Sequence, residues 1–278
     1  MNTLRLMSQN QWNVTNNLKK WEEMGLDCSA KVRMKGHLQI FKELMPDVVG
    51  GQEVNKDMQP ILMLLFQEEK LPYTMIWGNY VPIFYRADKL ELLDHHYLLF
   101  PVTMDGYEGK YNDALSKACN IAVFRSKESR KIFIFGTAHL WWENDSMTPG
   151  SSEMRREQVK MSVEQMEKLQ KLYGSCPMIF CGDLNDVYHS PCVDYLQQEA
   201  GFLHAYHAAT EYRHEGMGYN GCGGNGPGSW WTAPFERAID HILVRDLDKD
   251  AVKRFDRYCP DYYLSLSDHA PVYIDLSL

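Results

Sequence analysis

Six polar clusters in this sequence share one placement, each at the end of an apolar, strand-like run. Asn10 follows LRLMSQ, Glu53 follows DVVGGQ, His139 follows IFIFGTA, and Asp183, with Asn185 two residues on, follows MIFCG. Asp240 follows AI, and Asp268-His269 precede the apolar PVYIDL. A single acid after a strand is ordinarily a turn former or a solvated loop residue. Six such clusters ask for a common task, and their residue types fit one. Glu53, Asp268 and Asn10 offer hard oxygen ligands, suited to Mg²⁺ or Mn²⁺ and poorly suited to zinc or copper. A histidine paired with an acid is fixed in one tautomer and stabilised when charged. Asp183 and Asn185 share a side if their segment stays extended. One would then orient or deprotonate a water while the other holds a phosphate oxygen. Phosphoryl chemistry needs little beyond positioning, an attacking water and charge neutralisation.

The elements that must place these side chains are legible as hydrophobic patterns. Strand-like runs recur at 4–10, 48–53, 80–86, 120–125, 131–139, 178–183, 239–245 and 271–276. Helical spacing is clearest over 152–173, where Val159, Val163, Met166, Leu169 and Tyr173 recur; 34–45 and 58–69 are further helices. Strands in neighbouring pairs with helices between some of them predict two mixed sheets covered by helices, not a doubly wound parallel sheet. No repeat or linker divides the chain, so residues 1–278 are read as one domain. The stretch 213–234 carries seven glycines and then Trp230-Trp231. It reads as a long surface loop of the kind that is often functional.

Bulk properties limit the alternatives. With 45% hydrophobic and 24% charged residues, a substantial core can form. Residues 1–11 lack an apolar h-region and a small-residue cleavage site, and no apolar run approaches membrane-spanning length. Seven cysteines without CxxC pairs argue for reduced thiols, and the expectation is a soluble cytoplasmic protein with no membrane insertion. The net charge is −8, with Lys and Arg dispersed. That weakens the case for a processive nuclease and leaves small phosphoesters or short nucleic acid as substrates. Nothing in the sequence points to an obligate protein partner. No Gly-x-Ser-x-Gly elbow and no His-Glu-x-x-His motif occurs, which argues against a covalent α/β hydrolase and a zincin.

The segments DVVGGQEV, GTAHLWW, FCGDLNDVYHSP, AIDHILV and SLSDHAPV, in that order, resemble the signature of the endonuclease/exonuclease/phosphatase superfamily, the deoxyribonuclease-I-like proteins. The resemblance runs from Asn10 to His269. It implies a four-layer α/β sandwich, with two mixed, mostly antiparallel sheets face to face and helices outside. It further implies an Mg²⁺- or Mn²⁺-dependent hydrolase. Asn10 matches the asparagine that helps hold the metal–phosphate assembly, and Glu53 the principal metal-binding glutamate. His139 matches a phosphate-contacting histidine. Asp183 and Asn185 match the water-activating acid and the phosphate-orienting amide. Asp240 matches the acid that buttresses the catalytic histidine, His269 that histidine, and Asp268 a residue on the metal or its water. Arg155 with Gln158 resembles an R-x-x-Q pair on the helix after the THL-type strand, with Arg155 on the substrate; a solvated helix face with one structural hydrogen bond reads at least as well. Gly51 stands where many members have a hydrophobic residue. Trp12 stands where DNA-repair members have an acid, which makes an abasic-site nuclease a poor match. HLWW and residues 83–94 are closer to the deadenylase- and nocturnin-like branch. A second class stays open: a binding or scaffold protein that kept the fold without the activity.

Several eye-catching residues have ordinary explanations. His95 and His96 face opposite ways if extended. His189, His204, His207 and His214 lack ligand spacing, and His241 should point away from Asp240. The fifteen methionines read as core filler. Trp141, Trp142, Trp230 and Trp231 either pack or line a site rim, where an aromatic could stack on a base, a sugar or another flat group; Trp230 and Trp231 are the candidates for substrate contact.

Overall fold

The structure is a computed structural model that describes residues 3–15, 18–212, 237–258 and 260–278. In chain order it runs β1 (Thr3–Asn10), α1 (Leu18–Glu23), α2 (Ala30–Leu44), β2 (Val48–Gln52), α3 (Gln59–Glu68), β3 (Tyr73–Ile76), β4 (Ile83–Arg86) and β5 (Leu90–Leu99). Then come β6 (Ala118–Ser126), β7 (Ile132–His139), α4 (Ser151–Tyr173), β8 (Met178–Asp183), α5 (Pro191–Asp194), β9 (Leu203–His204) and α6 (Ala205–Ala208). Finally come β10 (Glu211–Tyr212), β11 (Asp240–Arg245), β12 (Val252–Arg257) and β13 (Val272–Ser277).

The two-residue strand period sorts these side chains onto two faces. Leu4 and Leu6 of β1, Val48 of β2, Phe133 and Phe135 of β7, Ile179 and Cys181 of β8 and Ile242 of β11 share one buried cluster. Their neighbours turn the other way. Met7 and Val49 join α2 and α3 residues such as Phe41 and Leu62, whereas Ile134, Phe180 and Leu243 join Val159, Val163 and Met166 of α4. The result is helices, sheet, sheet, helices: the expected four-layer α/β sandwich. One sheet has the order β10-β12-β13-β1-β2-β4-β3 and the other β5-β6-β7-β8-β11-β9. Among the described residues, only the β1–β2, β10–β12 and β7–β8 pairs are parallel.

Register brings the polar strand ends together. In the first sheet Asn10 pairs with Gln52, so Asn10 and Glu53 emerge side by side. β13 runs antiparallel to β1 with Ser8 opposite Val272, which returns residues 267–270 to the same edge. In the second sheet His139 lies opposite Asp183, Asp183 opposite Asp240, and Ala118 opposite His139. The sheets approach closely below this edge: a Cβ on Gly50 would fall 2.3 Å from Thr137 Oγ1. There Gln52 Nε2 donates to Thr137 Oγ1 at 2.8 Å, a buried polar link between the sheets. Gly182 has φ +146 and its Cβ would meet Ala138 O, so only glycine fits before Asp183.

Some boundaries differ from the sequence reading. The strand expected over 80–86 begins only at Ile83. Pro82 has no N–H to extend the ladder, yet its carbonyl accepts from Gly51 N at 2.9 Å. β5 and β12 were not expected. Both carry charges or histidines that mask the alternation, and β5 is an edge strand with a register shift between Leu92 and Asp94. On β5, His95 is exposed and His96 half-buried, as opposite-facing residues should be.

Candidate active site

A cleft of about 600 Å³ opens where the ends of β1, β2, β7 and β8 converge, with Glu53, His139, Asp183, Asn185, Asp268 and His269 in its wall. Asp183 is its centre. Asn10 Nδ2 donates to Asp183 Oδ2 at 2.9 Å and to Glu53 Oε1 at 3.3 Å, while Asn185 N donates to Asp183 Oδ1 at 2.9 Å. Asn10 Oδ1 is occupied by the backbone N–H of Trp12 at 2.9 Å. Asn10 therefore presents its NH₂ to the two acids and bridges them, instead of offering the oxygen expected of a metal ligand.

Asn185 also departs from expectation. The segment is not extended, since Asn185 has φ 50°, and the turn closes back on Asp183. The amide still reaches the cleft, but by way of this turn, with Nδ2 donating to Leu140 O at 3.0 Å. Glu53 likewise sits in the left-handed region at φ 57°, and its Oε2 accepts from Asn13 N at 3.0 Å. Left-handed non-glycine residues cluster where the surrounding structure holds them against their preference, commonly at sites.

His269 and Asp240 form the expected pair, with Nδ1 2.7 Å from Asp240 Oδ2. Nδ1 donates, which leaves Nε2 directed toward Asp183 Oδ2 at 3.8 Å. Burial opposes the charge, but Asp240, Asp183 and Asp268 together hold the imidazole well above its usual pKa. His269 is thus a cation anchored by Asp240. Asp183 is pushed up to about 7, first by burial and then by the charge of Asp240. Asp268 is pushed up to about 6, chiefly by burial and also by the charge of Glu53. The backbone beneath is fixed by Ser267, whose hydroxyl donates to Asn10 O at 2.7 Å.

Among the described residues, two sets of acids and histidines gather ligand atoms within 4.8 Å: Glu53, His139 and Asp183, and Asp183, Asp240 and His269. The second is accounted for by the Asp240–His269 hydrogen bond, because a cationic imidazole does not ligate a metal. In the first, His139 Nε2 is taken by Lys117 Nζ at 2.9 Å. The donors left for a cation are oxygens of Glu53, Asp183 and Asp268. Asp268 Oδ1 is buried with no hydrogen-bond partner. A hard divalent ion fits this oxygen set and would relieve the crowding of charge.

His139 does line the cleft, but it is neutral there. Burial, Lys117 and His269 hold it well below the usual histidine pKa, so its 3.6 Å approach to Asp183 is not an ion pair. Arg155, expected at the substrate, does not line the cleft. Its guanidinium is buried and donates to Asp186 Oδ2 at 2.8 Å and to the carbonyls of Trp141 and Glu143 at 3.3 and 2.6 Å. Gln158 accepts from Trp141 N at 3.0 Å. The pair therefore carries the loop after β7. Of the tryptophans, Trp141 is buried and Trp142 is half-exposed at the cleft. Trp230, Trp231 and His214 lie outside the described residues. His241 points away from the cleft, as expected, to His204 Nε2 at 3.0 Å and Asp186 O at 2.9 Å. Sequence reasoning missed Lys117, Asp113 and Tyr80 in the cleft wall. None of the three carries a sequence signal that sets it apart from a solvated loop or strand-end residue.

This fold and this edge of strand-end acids, amides and histidines define a class. A model described as Endonuclease/Exonuclease/phosphatase family matches residues 29–269, and the chain belongs to that family. Among curated proteins, carbon catabolite repressor protein 4 homolog 3 of Arabidopsis thaliana is 24% identical over 156 residues, covering 55% of this chain and 32% of that protein. Protein angel of Drosophila melanogaster is 26% identical over 183 residues, covering 61% of this chain and 47% of that protein. The chain thus spans less than half the length of either. A mannosyl-6-phosphatase of Bacteroides thetaiotaomicron superposes with a TM-score of 0.67 at 21% identity, covering 99% of this chain and 100% of that one. The human Nocturnin catalytic domain gives 0.66 at 15%, covering 99% and 94%. TDP2 of D. rerio, complexed with single-strand DNA product, gives 0.65 at 16%, covering 100% of each. At these identities the solved structures establish the shared fold.

Proposed function

We propose that this protein is a divalent-metal-dependent phosphoesterase that hydrolyses a phosphate ester by attack of an activated water. The observation that carries the reading is the setting of Asp183, a buried carboxyl at the centre of the cleft. It is gripped on both oxygens by Asn10 and Asn185, and it faces the imidazolium that Asp240 anchors. A carboxyl so held is positioned to take a proton from a water attacking a phosphorus centre. His269 Nε2 is placed to donate to an oxygen on which charge develops. Asn185 orients the phosphate, and Asn10 fixes Glu53 and Asp183 relative to each other. Glu53 and Asp268 would hold Mg²⁺ or Mn²⁺, with Asp183 beside them. When bound, the ion would supply Lewis-acid polarisation and charge neutralisation.

The substrate reading is a small phosphoester or short nucleic acid. The cleft volume suits a small ligand, and its wall carries Glu53, Asp113, Asp183 and Asp268 against Lys117. Among the described residues no helix is long and apolar enough to cross a membrane. The described cysteines are free, and Cys119, Cys181 and Cys192 are buried with thiols pushed up to about 12, in keeping with a cytoplasmic setting. The test is hydrolysis of a panel comprising sugar, inositol and nucleotide phosphates, short oligonucleotides and bis-p-nitrophenyl phosphate. Each is run with Mg²⁺, Mn²⁺ or EDTA. Turnover that EDTA abolishes and metal restores is expected. No turnover on any member with either metal would count against the reading.

A further inference from the structure

Among the described residues that line the cleft, Lys117 is the only lysine or arginine. It is buried to 4% exposure, its Nζ lies 2.9 Å from His139 Nε2, and it forms no ion pair among the described residues. Burial on this scale is costly for an ammonium unless an anion answers it. Burial lowers the pKa of Lys117, and the acids Glu53, Asp113 and Asp183 offset part of that at a distance without bonding to it. An ammonium has three donors, and His139 takes one.

The backbone of Lys117 is held on both sides. Asn112 Oδ1 accepts from Lys117 N at 3.0 Å, and Asn112 Nδ2 donates to Lys117 O at 2.9 Å and to Phe100 O at 2.8 Å. Two residues of the loop before it, Ala114 and Leu115, have φ 47° and 54°. Side chains with a Cβ rarely adopt that conformation, and here the loop adopts it twice running. Register then sets Lys117, immediately before Ala118, beside His139. A strained, clamped loop is delivering one cation to one place.

We propose that Lys117 is a phosphate-binding residue of this cleft. Its ammonium donates to a non-bridging phosphate oxygen, and His139 is the neutral acceptor that holds the ammonium in position. The proposal rests on the phosphoesterase reading and changes one part of it, since the direct phosphate contact passes from His139 to Lys117. His139 then has its proton on Nδ1, which is buried without a hydrogen-bond partner, and it cannot donate from Nε2.

The experiment is calorimetric binding of inorganic phosphate to wild type, Lys117→Gln and Lys117→Met, each with Mg²⁺ and with EDTA, after thermal melting has shown the variants folded. Lys117→Gln keeps a donor for His139 and removes the charge. Both variants should bind phosphate about ten- to a hundredfold more weakly, the range for losing a hydrogen bond to a charged group. His139→Leu should lose a similar factor, His139→Gln should recover part of it through its amide oxygen, and Lys117→Met/His139→Leu should be no worse than the worse single variant. In wild type, ¹³C-labelled at lysine, the Lys117 Cε resonance should shift on adding phosphate, a readout that needs no variant. A folded Lys117→Gln with wild-type phosphate affinity, or an unmoved Cε resonance, would overturn the proposal alone. A wild type that neither binds phosphate nor hydrolyses the panel would overturn the phosphoesterase reading with it.

Discussion

At the scale of single residues, the site divides into groups that touch the reaction and groups that hold them. Asp240 belongs to the second kind, because among the described residues it meets the chemistry through the 2.7 Å bond to His269. Asp240→Asn should lower kcat about 10²–10⁴-fold, the range for impairing an acid–base group. It should also lower the His269 pKa, since Asp240 is the largest influence raising it. An NMR titration of the metal-free variant reads this directly. An unmoved His269 titration would show that Asp240 is not its anchor. These residues were legible because the chemistry demands particular types at strand ends. Lys117 was not, because a lysine before a strand is indistinguishable in sequence from a solvated one. Arg155 was open in sequence between a substrate contact and a structural bond, and its contacts with Asp186 and the carbonyls of Trp141 and Glu143 favour the structural one.

At the scale of elements, α4 does more than cover its sheet. Arg155 and Gln158 on its first turns tie down the segment after β7, and Asp186, on the turn after β8, completes the knot. Arg155→Met should destabilise the fold by about 3–5 kcal/mol, as expected when one partner of a buried ion pair is removed. Urea denaturation is the measurement. A higher KM with an unchanged unfolding midpoint would instead make Arg155 a substrate residue. Similar support comes from α2, whose buried Arg33 donates to Gln11 O and to Leu266 O, the latter at 3.0 Å through Nε. That joins the loops carrying Asn10 and Asp268. The strands bearing site residues were readable from alternation, and α4 from its 3.6-residue period. β5 and β12 were hidden, since their exposed faces carry histidine, lysine and arginine, and edge or near-edge strands need no continuous apolar pattern.

At the scale of the whole molecule, buried neutral histidines outside the cleft set an acid limit on stability. His37, His204 and His241 all have pKa values pushed below the usual histidine range by burial, His241 to about 4. Between about pH 6.5 and these lower values the unfolded chain binds more protons at each, so their contribution is complete above pH 6.5 and lost as pH falls. Asp183 and Asp268, with raised values, act in the opposite direction over part of that window. The sign is therefore best read by difference: His37→Gln should make the fall in unfolding free energy between pH 6.5 and 5 shallower by about one proton. An equal or steeper slope would show that His37 is not neutral in the fold.

The two-sheet sandwich gathers Asn10, Glu53, His139, Asp240, Asp268 and His269 around one carboxyl, that of Asp183. The most direct test is kcat for hydrolysis of bis-p-nitrophenyl phosphate by wild type and Asp183→Asn, each with Mg²⁺ and with EDTA, circular dichroism confirming the fold. Metal-dependent turnover is expected in wild type, with a loss of about 10²–10⁴-fold in the variant. Turnover by the folded variant at the wild-type rate, or wild-type turnover indifferent to EDTA, would contradict the proposed function.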